Sequence, residues 1–276
     1  MSPVLTVAHL TFAEARRKKI LAAALVCGLA FVALFAAGLA LGRNNLFVQA
    51  PLQRQVTLTI LTILGLFAAN FLSVLFAALL PIDTLSGEID SGVMQTLAAK
   101  PIRRSEIVLG KFLGHWVIVI AYLLLMCGLV MLVTMAVGRT VRLDLVRGLL
   151  LMVLELTVMM AITIAGGTRF TTITNGVVAL GFYGVAFLGG WMEQAGSLGG
   201  LEGIRSAGVA ASLVSPTDSM WRLAIHTMLP AIARGTTNLG PFATNSVANP
   251  LMVWWTVAFA VAALGYAIRT FNRRAL

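Results

Sequence analysis

QVTLTILTILGLFAANFLSVLFAALLPI, residues 55–82, runs for 28 positions without one Asp, Glu, Lys or Arg. A helix needs about 20 apolar residues to cross the hydrocarbon core of a bilayer, so this stretch is long enough to span it. Asn70 sits near its middle. The same reading, carried outward in both directions, finds further runs at about 20–42, 112–138, 148–168, 171–192 and 251–268, and narrows the quoted one to about 56–81. Pro241, Asn249 and Pro250 hold the last run to its C-terminal part, because a proline ends a helix or begins one. The expected fold is an all-α polytopic membrane protein with six transmembrane helices, forming one transmembrane domain over 1–276.

Composition agrees. Hydrophobic residues make up 59% of the 276 and charged residues 11%, with a mean hydropathy of +0.94. Soluble domains hold about 45–50% and about 25%, so a water-soluble enzyme is excluded. The formal charge of +10 does not point to nucleic acid, because the Lys and Arg residues cluster at the ends of apolar runs. Cys27 and Cys127 lie within such runs and read as buried thiols. His9, His115 and His226 are scattered without metal-ligand spacing, so no metal site is expected.

Six spans place both termini on one side. If that side is the cytoplasm, it holds all four lysines and 12 of the 20 basic residues, including Arg16-Arg17-Lys18-Lys19 and Arg269, Arg273 and Arg274. The basic bias therefore predicts an inner-membrane protein with cytoplasmic N- and C-termini. The first run is too long for the core of a signal peptide and is read as a retained span. Ahead of it, Leu5, Ala8, Phe12 and Ala15 follow helical spacing. This predicts an interfacial elbow helix on the inner leaflet, with a frayed N-terminus as its rival.

Between the second and third spans lies a segment, 83–111, more patterned than a plain connection. Ser91 can cap a short helix over 92–99, with Pro101 ending it and Val93, Met94 and Leu97 on one face. Ser105 can then cap the third span, with Glu106 in its first turn. A helix this short suits docking into a groove of a partner, or lying on the membrane. The string Gly87-Glu88-x-x-x-Gly92-x-x-x-x-Leu97-x-x-x-Pro101-x-x-Arg104-x-Glu106-Ile107-x-Leu109-Gly110-Lys111 resembles the cytosolic signature of type-2 ABC transporter permeases. It departs from the usual pattern at Ile89-Asp90 and at Met94. The nearest resemblance is to the branch containing the nitrous-oxide-reductase maturation permease.

The resemblance implies a membrane permease subunit of an ATP-driven exporter that is not itself an enzyme. It implies a second permease copy and a cytosolic ABC ATPase as partners, with ATP and Mg on the ATPase and no cofactor on this chain. Segment 83–111 becomes a coupling helix and its flanks. Glu88, Asp90, Gly92, Val93, Met94, Leu97, Pro101, Arg104, Glu106 and Lys111 are the candidate ATPase-coupling residues. The phosphate-loop pattern G-x-x-x-x-G-K-[ST] is absent from the sequence.

Glu155 is the one carboxylate inside a span. It and Asn70 are candidates for a translocation path, and a structural Glu hydrogen-bonded to Asn70 or a Thr is the other reading. Segment 193–250 is expected outside the membrane. Within it Ser215, Pro216 and Asp218 form a helix start. The stripe Met220, Trp221, Ala224, Ile225 and Met228 suggests a helix on the outer leaflet or dipping into it. Two alternatives to transport stay open: a mechanotransmission subunit serving an extracytoplasmic protein, and an intramembrane enzyme centred on Glu155.

Overall fold

A computed structural model describes residues 2–87, 102–138, 143–229 and 248–273. Nine helices occur among them: α1 (Pro3–Ala15), α2 (Lys19–Val48), α3 (Pro51–Leu79), α4 (Arg104–Gly138), α5 (Leu145–Gly167), α6 (Thr172–Gly199), α7 (Glu202–Val214), α8 (Thr217–Met228) and α9 (Leu251–Arg273). No strand occurs among the described residues. The six helices α2, α3, α4, α5, α6 and α9 are each long and apolar enough to cross a membrane. The protein is an all-helical, six-span membrane protein.

Most helices outrun the apolar runs that predicted them, because a helix does not stop where the bilayer does. α4 begins at Arg104, ahead of the apolar run at 112 and two residues before the start that a Ser105 cap would give. The Glu106 carboxylate accepts a hydrogen bond from the Arg103 amide at 2.9 Å, so Arg103, not Ser105, stands at the helix start. α3 carries Pro51 at its first position, where the missing N–H costs nothing.

The chain threads up and down. One end of the bundle, here the α1 end, gathers α1, the exit of α3, the start of α4, the α5–α6 turn and the close of α9. Lys18 pairs with Asp83 there at 2.6 Å, and α1 lies along the first turns of α4. A Cβ on Gly110 would stand 2.6 Å from Val7 Cβ, and one on Gly114 would stand 2.7 Å from Ala8 O. Only hydrogen at those two positions lets the helices approach so closely. Whether α1 lies in an inner leaflet is a separate matter, taken up below.

At the far end α6 closes on Gly200, which has φ 64° and takes the left-handed cap that glycine adopts without strain. α7 then runs back along α6. α8 turns again and climbs beside α5, until Met228 O accepts from the Asp144 amide at 3.3 Å. The 12 residues of α8 rise about 18 Å. The α7–α8 hairpin thus reaches about halfway into the bundle and does not cross it. Of the two placements expected for this helix, on the leaflet or dipping in, the burial fits the second: Thr217 through Ile225 are all buried. The start also shifts by one residue, since Pro216 is the N-cap and Ser215 closes α7.

The core is built mainly from α3, α4 and α5. Leu66, Val119, Leu123, Met126, Met152, Leu156 and Met159 are at most 1% exposed. α2 and α9 are the least buried of the spans, at 11% and 22% of their most apolar windows. Gly38 and Gly42 on α2 meet nothing of this chain within 4 Å.

Candidate functional site

Two polar assemblies stand out in an otherwise apolar molecule. The first is the joint at the α1 end. The turn that leaves α3 (residues 80–87) is tied to three other parts of the chain, and through one of them to α5. Lys18, between α1 and α2, donates to Asp83 at 2.6 Å. Thr84 meets His115 of α4 at 3.3 Å. Ser86 meets Thr172 of α6 at 2.9 Å. Asn175 of α6 donates to Ile82 O at 3.1 Å and to Thr163 O of α5 at 2.9 Å. Asn175 is buried, and its two bonds hold α6 to the α3 exit and to α5.

The downstream flank is fastened as well. Arg104 donates to Phe271 O at 3.4 Å and to Asn272 O at 3.3 Å, which places a cation on the open carbonyls that end α9. Lys111 is 3% exposed. Arg104 and Glu106 lie on the first turn of α4 and are partly exposed. Glu88, Asp90, Gly92, Val93, Met94, Leu97 and Pro101, with the expected helix over 92–99, lie outside the described residues.

The second assembly sits in the middle of the bundle. Asn70 of α3 donates to Glu155 of α5 at 2.9 Å, and both are buried. Glu155 lies about 15 Å along α5 from its start, near the midplane. An unpartnered carboxyl there costs several kcal/mol, and Asn70 supplies the partner. Deeper in the α7–α8 hairpin lies a buried ionic cluster. Arg222 of α8 reaches Glu193 of α6 at 2.7 Å and Asp218 of its own helix at 2.9 Å, with Ser212 of α7 at 3.3 Å and Ser219 at 3.4 Å. One guanidinium fork thereby joins α6, α7 and α8. Aromatic contacts fill the space between the two centres: Phe67 lies 5.5 Å from Trp221 and Phe71 lies 6.0 Å from Tyr183.

The structure thus brings together the two residues named for the membrane interior, Asn70 and Glu155, and adds Glu193 and Arg222, which sequence reading passed over, with Asp218, read only as part of a helix start. The signal for those three was present. Asp218 and Arg222 stand four apart in an amphipathic helix, and Glu193 lies at the end of an apolar run. Among the described residues, no group of His, Cys, Asp and Glu could hold a metal ion.

The Asn70–Glu155 bond gives a simple expectation. Glu155→Gln keeps a partner for Asn70 and should change stability little. Glu155→Leu leaves the Asn70 amide buried without one, at a cost of about 1–3 kcal/mol. Thermal unfolding in detergent separates the two; equal melting temperatures for both variants would show that the bond contributes nothing.

Six apolar spans around a buried polar pair define a multi-pass α-helical membrane protein. The family model described as ABC-2 family transporter protein matches residues 5–276, nearly the whole chain, and the protein belongs to that family. It is the permease subunit of an ABC transporter, and permeases of this family work with an ATP-binding subunit. No curated protein matches the sequence.

Proposed function

We propose that this permease couples to a separate cytosolic ATPase through segment 88–101, and that ATP hydrolysis there drives export of a substrate through a pair of permease copies. The observation that supports this most is the joint. The chain entering segment 88–101 is bonded to Lys18 at the start of α2, to α4 and to α6, and the chain leaving it is bonded to α9 through Arg104. A push on that segment is therefore delivered to four spans at once, and α6 passes it on to α5 through Asn175. Force applied to a loosely tethered loop would be lost in the loop.

In this reading the α1 end faces the cytoplasm, as the basic residues there favour. α1 is the elbow helix at the inner leaflet, and the α7–α8 hairpin enters from the outer face. Glu88, Asp90, Arg104 and Glu106 supply polar contacts to the ATPase, and Val93, Met94 and Leu97 its apolar plug. ATP and Mg belong to the ATPase. The branch resemblance, to the nitrous-oxide-reductase maturation permease, rests on the motif residues alone.

The test is co-purification of the tagged chain, expressed with its neighbouring genes, in mild detergent. A stoichiometric ATPase is expected. Leu97→Asp should cut its retention by about tenfold or more, since a charge would be buried in an apolar groove, while the melting temperature of the permease stays unchanged. A chain that purifies alone, or an ATPase retained equally by Leu97→Asp, would end this reading.

A further inference from the structure

The α1 end carries a basic cup that the coupling joint does not use. It has a volume of about 530 Å³ and is lined by Thr168, Arg169, Tyr266, Arg269, Thr270 and Arg273. Three of the six lining residues are arginines and none is acidic. Tyr266, Arg269 and Arg273 follow at i, i+3 and i+7 on α9, so they share one face. Arg169 comes from the turn between α5 and α6, and its guanidinium donates to the Tyr266 hydroxyl at 3.1 Å. That bond holds the fourth wall of the cup across the gap between the helices.

A second cavity of about 300 Å³ shares Arg169 and Tyr266 with the first. Its other walls are Ile162, Ala165, Gly166, Phe170, Val178, Phe259, Ala262 and Ala263, carbon throughout apart from the glycine backbone. It follows α9 from Tyr266 back to Phe259, about 10 Å along the helix axis. Both cavities are open to the surroundings of the bundle: Arg169, Val178, Ala262, Tyr266, Arg269 and Arg273 are exposed. Arg269 lies 18 residues beyond Leu251, or about 27 Å along α9, against a hydrocarbon core about 30 Å thick. The cup thus falls at the membrane boundary and the groove falls within the hydrocarbon.

We infer that this cup and groove form one binding site for an anionic phospholipid, with the phosphate held by Arg169, Arg269 and Arg273 and an acyl chain lying along Phe170, Phe259 and Ala262. Guanidinium groups bind phosphate oxygens in pairs, and three of them favour a headgroup with net negative charge over a zwitterionic one. The groove distinguishes the lipid from a free phosphate ion, for which it would have no use. Because the site joins the α5–α6 turn to α9, a bound lipid would bridge two elements that are tied separately to the joint, α6 by Asn175 and α9 by Arg104. The inference needs only the six-span fold and stands apart from the ATPase reading.

The test is native mass spectrometry of the full chain released from micelles containing equal phosphatidylglycerol and phosphatidylcholine. Retention of phosphatidylglycerol is expected to exceed that of phosphatidylcholine by about tenfold. Arg169→Gln/Arg269→Gln/Arg273→Gln should bring the ratio near one, and Arg269→Gln alone should lower it severalfold, which covers the case in which the triple variant does not fold. Ala262→Phe fills the groove with the arginines intact and should also lower retention severalfold. Inorganic phosphate at about 10 mM should not displace the lipid. Equal retention of the two lipids, displacement by phosphate, or an Ala262→Phe variant that retains lipid like the parent would each overturn the assignment.

Discussion

Arg222→Met is expected to lower the stability of the protein by roughly 3–5 kcal/mol, the usual cost of stripping one partner from a buried ionic cluster. The arginine side chain is 3% exposed, and its carboxylate partners Glu193 and Asp218 are 9% and 11% exposed. Methionine replaces the volume and leaves two carboxyl groups facing each other without a cation. Arg222→Lys should fall in between, because an ammonium is a point charge and cannot hold both carboxylates in a fork. The combined variant Glu193→Gln/Asp218→Asn/Arg222→Met should recover much of the loss, since it removes every buried charge together. Thermal unfolding in detergent reads all three. Hydrogen exchange over 202–228 should rise most in Arg222→Met, because that side chain joins α6, α7 and α8. A methionine variant that melts within about 1 °C of the parent would show that the cluster is not what holds the hairpin.

The spans were legible because crossing a membrane is a local demand: each helix must be apolar along its own length, and a run such as 55–82 declares itself. The Asn70–Glu155 pair was legible for a related reason. A carboxyl alone in hydrocarbon requires a partner, and few polar side chains were available at that depth. The α7–α8 hairpin was not, because what keeps it in the bundle is tertiary. Thr217, Asp218, Ser219 and Arg222 make α8 look amphipathic and too polar for the interior. Their polar groups are buried because Glu193 and Ser212, 29 and 10 residues away from Arg222, meet them there. Helix ends were misjudged by a few residues for the same reason. Arg104 begins α4 well outside the apolar run, capping α9 at the same time, and a pairing 167 residues distant leaves no periodic trace.

Gly208→Ala tests the hairpin from its other side and is expected to cost about 1–3 kcal/mol, the range for overpacking a filled interior, with more in reach if the helices cannot separate. A Cβ on Gly208 would overlap the Glu193 amide nitrogen and lie 2.6 Å from Gly189 O. Both are backbone atoms, so no rotamer change can make room. Gly189 is tight in return, since a Cβ there would stand 2.5 Å from Ala211 Cβ, and one on Gly196 would stand 2.5 Å from the Arg205 nitrogen. Small residues at 189, 196, 208 and 211 thus let α7 lie on the backbone of α6, the arrangement that lipid-embedded helices use where no hydrophobic force drives them together. The methyl group would push α7 away at the level of Glu193, the residue that accepts from Arg222 at 2.7 Å. The two substitutions should therefore not add. Once Arg222→Met has broken the cluster, α7 is freer to yield, and Gly208→Ala should cost less in that background than in the parent. A coupling of about 0.5 kcal/mol or more in the double-mutant cycle is expected for sites that share a partner. Strict additivity would mean that the glycine contact and the ionic cluster hold α7 independently, and that the hairpin is two attachments and not one.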